Sequence, residues 1–417
     1  LIRADDMKML APSLQHVTSL KFEHCTFSKG AVLELAACTR LQRVDLKMTL
    51  VDGIPDLAVL RDLKKSLSLS LSIEDVQGPR WQDPDLEFLT SLHSCLTSLT
   101  VKCTDRTQPL SIVVQHLHNL KELSVLDSYG PLTNDQAVAL AGSPAGQHLR
   151  TLIQLERTEV DLASLAALMA MLQLKRLEGI RTRREDTEPH TTQAQLPPFH
   201  WPSGKPLMRL LMGTVHLDHL AVIPLQHCSS FSTGILWIAE QLSEEQRVQL
   251  MRTVHMNAAK CESFSCSRIS PSPRHSGIGL AGVQPDGPLR PWGSWMQIEN
   301  ARITAGDTKV LAAMQAGMDN LAFHDCQLAA DALPALRRDS SSHIHLKLKS
   351  CTWPSVTDLA SYLLQFAKAW VTGSDKSAQL EIVAEDCSPL AVSCSKALNT
   401  AFRYDGRTRF LPYYTAE

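Results

Sequence analysis

Aromatic residues make up only 5% of this 417-residue chain, its formal net charge is -2, and its 11 cysteines are dispersed rather than clustered. Each scarcity excludes something. A duplex-binding protein usually carries a basic excess or stripe, so the near-neutral balance points away from nucleic acid and from anionic membrane surfaces. No apolar run approaches the roughly 20 residues that span a bilayer, and the opening LIRADDMKML lacks the apolar centre of a secretory leader. An odd, scattered set of thiols does not read as a disulfide scaffold. Together these absences predict a soluble chain with reduced thiols, in the cytoplasm or nucleus. The sequence opens on Leu1 rather than Met, and DDMKMLAP already reads as the helical half of a structural unit, so a fragment or processed piece is expected.

Catalytic signatures are missing as well. There is no G-x-S-x-G, no H-E-x-x-H and no Walker lysine loop. Gly277, Gly279 and Gly282 do stand in the spacing G-x-G-x-x-G. A phosphate cradle of that form needs a buried strand before it and a helix starting within it. SPSPRHS precedes these glycines and VQPDGPLRP follows, with Pro285 and Pro288 forbidding the helix, so the expectation is an inter-repeat loop. His255, Cys261, Cys266 and His275 gather four candidate zinc ligands, but not at C-x-x-C spacing. His24 with Cys25, His227 with Cys228, and His324 near Cys326 invite a cysteine nucleophile. Adjacent strand side chains point to opposite faces, which argues against a dyad. No enzyme, cofactor or metal is predicted.

What the chain has in abundance is leucine, about 15% of residues, well above globular usage. With 44% hydrophobic residues, the length allows two or three ordinary domains or one elongated array. The leucines favour the array. LQHVTSLKFEHCTF (14–27), LQRVDLKMTLV (41–51), LTSLTVKCT (96–104), LKELSVLDS (120–128), MDNLAFHDCQL (318–328) and HIHLKLKSCTW (343–353) share one frame, approximately L-x-x-L-x-L-x-x-C-x-L. Alternating Leu20/Phe22, Val44/Leu46, Leu99/Val101, Leu123/Val125, Leu321/Phe323 and Leu346/Leu348 predict short strands with one apolar face. Helix signals follow: Ser28 before KGAVLELAAC, and capping-box pairs Thr133/Gln136, Ser243/Gln246 and Ser355/Asp358. One strand and one helix cannot bury both apolar faces alone, but a stack of such units can.

On these residues, over most of 10–180 and 295–400, the chain resembles the leucine-rich repeat family, and in particular its cysteine-containing subtype. In that subtype a small residue turns inward where the strand ends, the place held here by Cys25, Cys326, Cys351 and Cys387, with Cys38 shortly before the next strand. The resemblance implies an α/β leucine-rich repeat solenoid, a horseshoe with degenerate repeats, a parallel concave sheet and outer helices. It also implies a choice of contexts: F-box substrate receptors of ubiquitin ligases, regulators of small GTPases, and immune-type receptors.

The expected organisation is N-terminal repeats over 1–180, a polar Pro-rich loop or linker over 181–206, and irregular repeats over 207–417 with a loop at 270–294 and a cap at 400–417. LRTLIQLERTEV is degenerate, carrying Gln154 where leucine is due, and ILWIAEQLSEEQRVQLMRTVHM reads as helix-like. Phe402, Tyr404, Phe410, Tyr413 and Tyr414 suit a terminal cap or, as an alternative, a docking tail.

With the leucines inward, the intervening residues line up outward as the candidate partner-binding surface. These are Lys21, Glu23, Arg43, Asp45 and Lys47 in the early strands, and Thr100, Lys102, Glu122 and Ser124 in the middle. The late strands supply Asn320, His324, His345, Lys347 and Lys349. Signs mix early, while the late set holds no acid, which predicts a protein partner with an acidic segment, bound more strongly below about pH 6.5. The expected function is non-catalytic protein–protein recognition. The alternatives are a structural subunit of a larger assembly, or a metal-dependent enzyme built from His190, His200, Cys261, Cys266 and His275 in the two loops.

Overall fold

A computed structural model describes residues 2–25, 31, 34, 38, 40–50, 68–75, 92–102, 116–125, 132–183, 199–272, 274–283, 292–314, 320–333, 344–353, 380–385 and 408–413. The chain divides into two units, Leu1–Gly213 and Thr214–Glu417. Both are α/β with parallel strands, and helices are few among the described residues.

The first unit begins with helix α1 (Ala4–Leu14) and strands β1 (Ser19–Cys25), β2 (Arg43–Leu50), β3 (Ser68–Asp75), β4 (Leu96–Lys102) and β5 (Glu122–Val125). Then come α2 (Asn134–Gly142), α3 (Pro144–His148), β6 (Thr151–Val160), α4 (Leu162–Ala170), β7 (Arg176–Thr182) and β8 (Met208–His216). Each strand pairs in parallel with the next. Parallel neighbours need a crossover, which is why α2, α3 and α4 lie between strands rather than at a hairpin.

Register turns the alternation of single strands into a core. Leu46, Leu71, Leu99, Leu123, Leu152, Leu177 and Leu210 pair successively across the strands. All seven are buried. Burying one such side chain is worth roughly 2 kcal/mol, so this single row anchors the unit. β1 is the exception, because Leu20 and Phe22 stay half-exposed.

The degenerate LRTLIQLERTEV is strand from Thr151 to its end, and a register shift between Ile153 and Thr158 accommodates the misplaced glutamine. Gln154 is only 2% exposed, and Thr158 Oγ1 donates to its Oε1 at 3.2 Å. Gly179, at φ 79°, sits so close to this bulge that a Cβ would come 1.3 Å from the Gln154 carbonyl oxygen. The expected linker at 181–206 also begins inside β7. At its far end Lys205 is buried, donates to the Met169 carbonyl of α4 and lies 4.4 Å from the Trp201 ring centroid.

The second unit contains α5 (Leu217–Val222), a 3-10 turn at Leu225–His227, β9 (Cys228–Ile238), α6 (Glu244–Ala258), β10 (Ser263–Cys266), β11 (Arg268–Pro271) and β12 (Ser276–Gly277). A second 3-10 turn, Leu280–Gly282, precedes β13 (Trp295–Glu299), β14 (Ala301–Ile303), α7 (Ala305–Met314), β15 (Asn320–His324), β16 (Gln327–Leu328), β17 (Ile344–Lys349), β18 (Leu380–Glu385) and β19 (Thr408–Tyr413). The parallel order is β9-β11-β13-β15-β17-β18-β19, with β10 also on β9, and β12-β14-β16 form a small parallel sheet of their own. Leu236, Ile269, Ile298, Phe323 and Leu348 make the buried row here.

Two expectations for this unit change. ILWI belongs to β9, and the helix starts only at Glu244, where the Ser243/Gln246 capping box forms as predicted. The loop expected at 270–294 holds the end of β11, all of β12 and a 3-10 turn among its described residues. The Thr133/Gln136 box also forms, at the start of α2. Ser28, Ser355, Asp358 and Cys387 lie outside the described residues, as do Phe402, Tyr404, Tyr414 and the side chains of Phe410 and Tyr413.

After β11, β13, β15 and β17 the chain turns in one way. His275, Asn300, Asp325 and Ser350 have φ of 62°, 55°, 50° and 51°, each 25 residues after the last. Left-handed backbone reverses the alternation, so the next residue points inward: Ala301, Cys326 and Cys351 are buried. Cys326 Sγ donates to Ile298 O at 3.3 Å and Cys351 Sγ to Phe323 O at 3.2 Å, each reaching the strand before its own. Asp307 ties neighbouring turns together. Buried in α7, it accepts from the Thr304 N–H and hydroxyl at 3.0 and 2.7 Å and from the Ala281 N–H at 2.9 Å. Burial raises its carboxyl pKa even against those donors.

Candidate functional site

The strand faces opposite the buried rows bring the predicted surface residues into lateral lines. In the first unit Lys21, Asp45, Ser70, Ser98, Glu122, Thr151, Arg176 and Arg209 follow one another in register. Two residues further along, Lys47, Ser72, Thr100, Ser124, Ile153 and Glu178 form the next line. Lys21 and Glu23 pair with each other at 2.6 Å, and that hydrogen bond raises the lysine pKa. Arg43 lies opposite Ser68 and is exposed, while the Lys102 side chain lies outside the described residues.

Sequence reasoning overlooked the hydroxyl-bearing β3, although its Ser–Leu alternation is the same period-two signal. It also overlooked Arg176, Glu178 and Arg209. Glu178 accepts from Arg176 Nε at 2.6 Å, with Arg209 Nε 3.7 Å away.

In the second unit Trp295, Asn320, His345 and Glu381 form one line, Gln297, Ala322, Lys347 and Val383 a second, and Glu299, His324, Lys349 and Glu385 a third. The third line is bound into a cluster. Arg268 Nη1 lies 3.3 Å from Glu299 Oε2, Gln297 Nε2 contacts Glu299 Oε1 and is 3.0 Å from His324 Nδ1, and that imidazole nitrogen is 3.8 Å from Glu299. His345 Nδ1 is 3.7 Å from Glu381.

The late face therefore does contain acids, contrary to the expectation: Glu299 arrives from β13, which the leucine frame did not pick out, and Glu381 from β18. Nor does His324 favour its charged form. Desolvation by burial lowers its pKa, Lys347 and Lys349 add to that effect, and Glu299 and Asp325 oppose it. Trp295, 41% exposed, was missed too. Its signal was SWMQIENA, in which Met296 and Ile298 alternate as the leucines do and Ala301 takes the cysteine position.

The other candidate chemistries are occupied by packing. Gly279, at φ 78°, would place a Cβ 2.9 Å from the Arg247 carbonyl carbon, and Gly282 would place one 2.0 Å from Val248 Cγ1. These glycines let the 3-10 turn lie against α6. Cys261 Sγ donates to Cys228 O at 3.2 Å and Ser263 O at 3.0 Å, and Cys266 Sγ to Arg268 O at 3.4 Å. Burial pushes the Cys266 thiol up to about 12 and the Cys95 thiol to about 11, away from thiolate chemistry. Among the described residues no group of three or more His, Cys, Asp or Glu is placed to hold a metal ion. His190 lies outside them, and His275 is exposed at its left-handed turn. No helix among them is long and apolar enough to cross a membrane.

No known family model matches the chain, and no curated protein matches it.

Proposed function

We propose that the chain is a non-catalytic protein-recognition scaffold of the leucine-rich repeat kind, a solenoid whose parallel strands line the concave side and present their outward residues to a partner. One observation carries the reading. Outward residues from strands far apart in sequence stand in lateral lines, over a buried framework whose turns recur every 25 residues from His275 to Ser350. A stack of strand-bearing units, each packing on its neighbour, produces such lines as a by-product.

The eight free cysteines among the described residues, seven of them buried, suit a reducing compartment, so the cytoplasm or nucleus is the proposed setting. Serving as a substrate receptor of a ubiquitin ligase is one use of such a scaffold, and it rests on fold analogy alone. The structural-subunit reading draws on Met9 and Leu10, apolar and exposed on α1.

The test compares partner capture by the wild-type chain with capture by the triple variant Arg43→Glu, Lys347→Glu, Lys349→Glu. Loss of true hot spots costs about 2 kcal/mol, roughly thirtyfold in affinity. Partners retained equally by the variant would move recognition off the strand faces and sink the reading.

A further inference from the structure

We infer that the edge of the first unit at which β5, β6 and β7 begin docks an acidic segment of a partner protein, with its carboxylates on Lys121, Arg150 and Lys175 and a flanking apolar side chain on Leu172 and Leu207. This edge is distinct from the outward strand faces, so binding there goes beyond the recognition reading above and does not depend on it.

The first support is a row of unanswered charge. Lys121, Arg150 and Lys175 each stand immediately before a strand, and the three strands are neighbours. The Lys121 carbonyl accepts from the Arg150 N–H at 2.7 Å and the Arg150 carbonyl from the Lys175 N–H at 2.8 Å, so the three residues lie side by side. All three are exposed, and among the described residues no ion pair or side-chain hydrogen bond holds them. Strands stand about 4.8 Å apart, so three full charges fall within roughly 10 Å. Like charges side by side on neighbouring strands weaken a sheet, and nothing else in the fold relieves these.

The second support is the lack of acid around the row. The segments leading into β5, β6, β7 and β8 are HLHNLK (116–121), PAGQHLR (144–150), MLQLK (171–175) and FHWPSGKPLM (199–208), and none holds Asp or Glu. The carboxylates closest along these strands, Glu122 and Glu178, belong to the outward lines. There Glu178 meets Arg176 and Arg209, and the charge of Glu122 also acts on Arg176. Two acids and two arginines balance one another, and the row keeps its charge. Helix ends do not account for it, since Lys175 lies five residues beyond the end of α4, past the reach of a helix dipole. Complementarity therefore calls for an anionic partner at this edge.

Shape and apolar exposure select a protein among anions. Leu172, in the turn that leads into β7, and Leu207, just before β8, are 46% and 44% exposed. Both lie at the Lys175 end of the row. A nucleic-acid backbone has no apolar side chain to cover them. A membrane could cover them, but membrane attraction draws on a broad cluster of cations, whereas these three form a single line. A line suits an extended chain, and about three extended residues span its 10 Å. The expected recognition sequence has two or three acids within four or five residues and an apolar residue directly to one side.

The test uses the full chain and a displayed library of random peptides. Selected peptides are expected to carry that pattern and to lose at least about tenfold in affinity on the triple variant Lys121→Glu, Arg150→Glu, Lys175→Glu, and a smaller factor on Leu172→Ser with Leu207→Ser. A synthetic peptide with lysines in place of its acids is expected to bind the triple variant at least about tenfold more tightly than it binds the wild-type chain, a rescue that structural damage would not allow. Selected peptides without acids, peptides held equally by the triple variant, or a library yielding no binder overturn the inference. Phosphatidylserine vesicles or a poly-uridine strand bound more tightly than any selected peptide, and lost on the same variant, overturn the choice of occupant. Peptides lost instead on Arg43→Glu, Lys347→Glu, Lys349→Glu overturn the edge and favour the strand-face reading. Peptides lost at the edge alone support the inference even where that reading fails its own capture test.

Discussion

Left-handed backbone falls on polar turn residues as well as glycines in the second unit and, among the described residues, on glycines alone in the first, one of them inside a strand. In the second unit the turn residue is His275, Asn300, Asp325 or Ser350, polar and left-handed, and after the last three a small buried residue follows. In the first unit the positive φ among described residues falls on glycines, Gly179 and Gly204. Gly179 lies against the bulge that swallows Gln154. Where a turn is roomy, a polar side chain tolerates the modest left-handed penalty. Where another backbone approaches closely, only the absence of a Cβ will do. The strand faces differ in parallel. The first unit sets serine and threonine between the Lys21/Glu23 pair and the Arg176/Glu178/Arg209 group, while the second binds Arg268, Gln297, Glu299 and His324 into a cluster.

The largest expected effect is on the second unit's core. Phe323→Ala removes a buried side chain from the middle of its apolar row and should destabilise by about 4 kcal/mol. Hydrogen exchange should show loss of protection in β13, β15 and β17, and a loss confined to the first unit would break the division between the two.

Next comes the comparison of left-handed positions, Gly179 inside β7 against Asp325 at a turn. Gly179→Ala forces a Cβ into the Gln154 carbonyl and should cost about 3 kcal/mol, whereas Asp325→Gly, at an exposed turn that already has positive φ, should stay within roughly 0.5 kcal/mol. Denaturant midpoints measure both. Similar costs at the two sites would refute the account of why one needs glycine and the other does not.

The smallest effect is on pH dependence. Burial lowers the His255 pKa from its ordinary 6.5, so the folded chain favours the neutral ring more than the unfolded chain does. Its stabilising contribution is therefore present above pH 6.5 and is lost as the pH falls through the lower folded-state value. The contribution of His324 has the same sign. Replacing His255 with Gln should flatten the acid side of a midpoint-against-pH curve, and an unchanged curve would remove the argument.

Much of this was legible in single strands. The alternation of Val44/Leu46, Leu99, Leu123, Leu321/Phe323 and Leu346/Leu348 marked the buried faces, and the Thr133 and Ser243 boxes marked their helix starts. β3 and β13 escaped because a leucine template was demanded where serine alternation, or Met296 and Ile298, carried the same period. ILWI was mistaken for helix because a short apolar run has no period that separates a helix from a doubly buried strand. Glu299, beside His324, could not be seen in a frame that omitted its strand, while Glu381 was legible before Cys387 but its place beside His345 was not.

The sequence by itself determined which side chains of each strand face inward, because alternation is a property of one extended backbone and needs no partner. Tertiary structure alone decided who stands beside whom. Residues roughly 25 positions apart become neighbours only through a crossover and a specific register, and a slip of one residue would have exchanged the buried and exposed faces. The meeting of Glu299 with His324, and of Trp295 with Asn320 and His345, belongs to that second level.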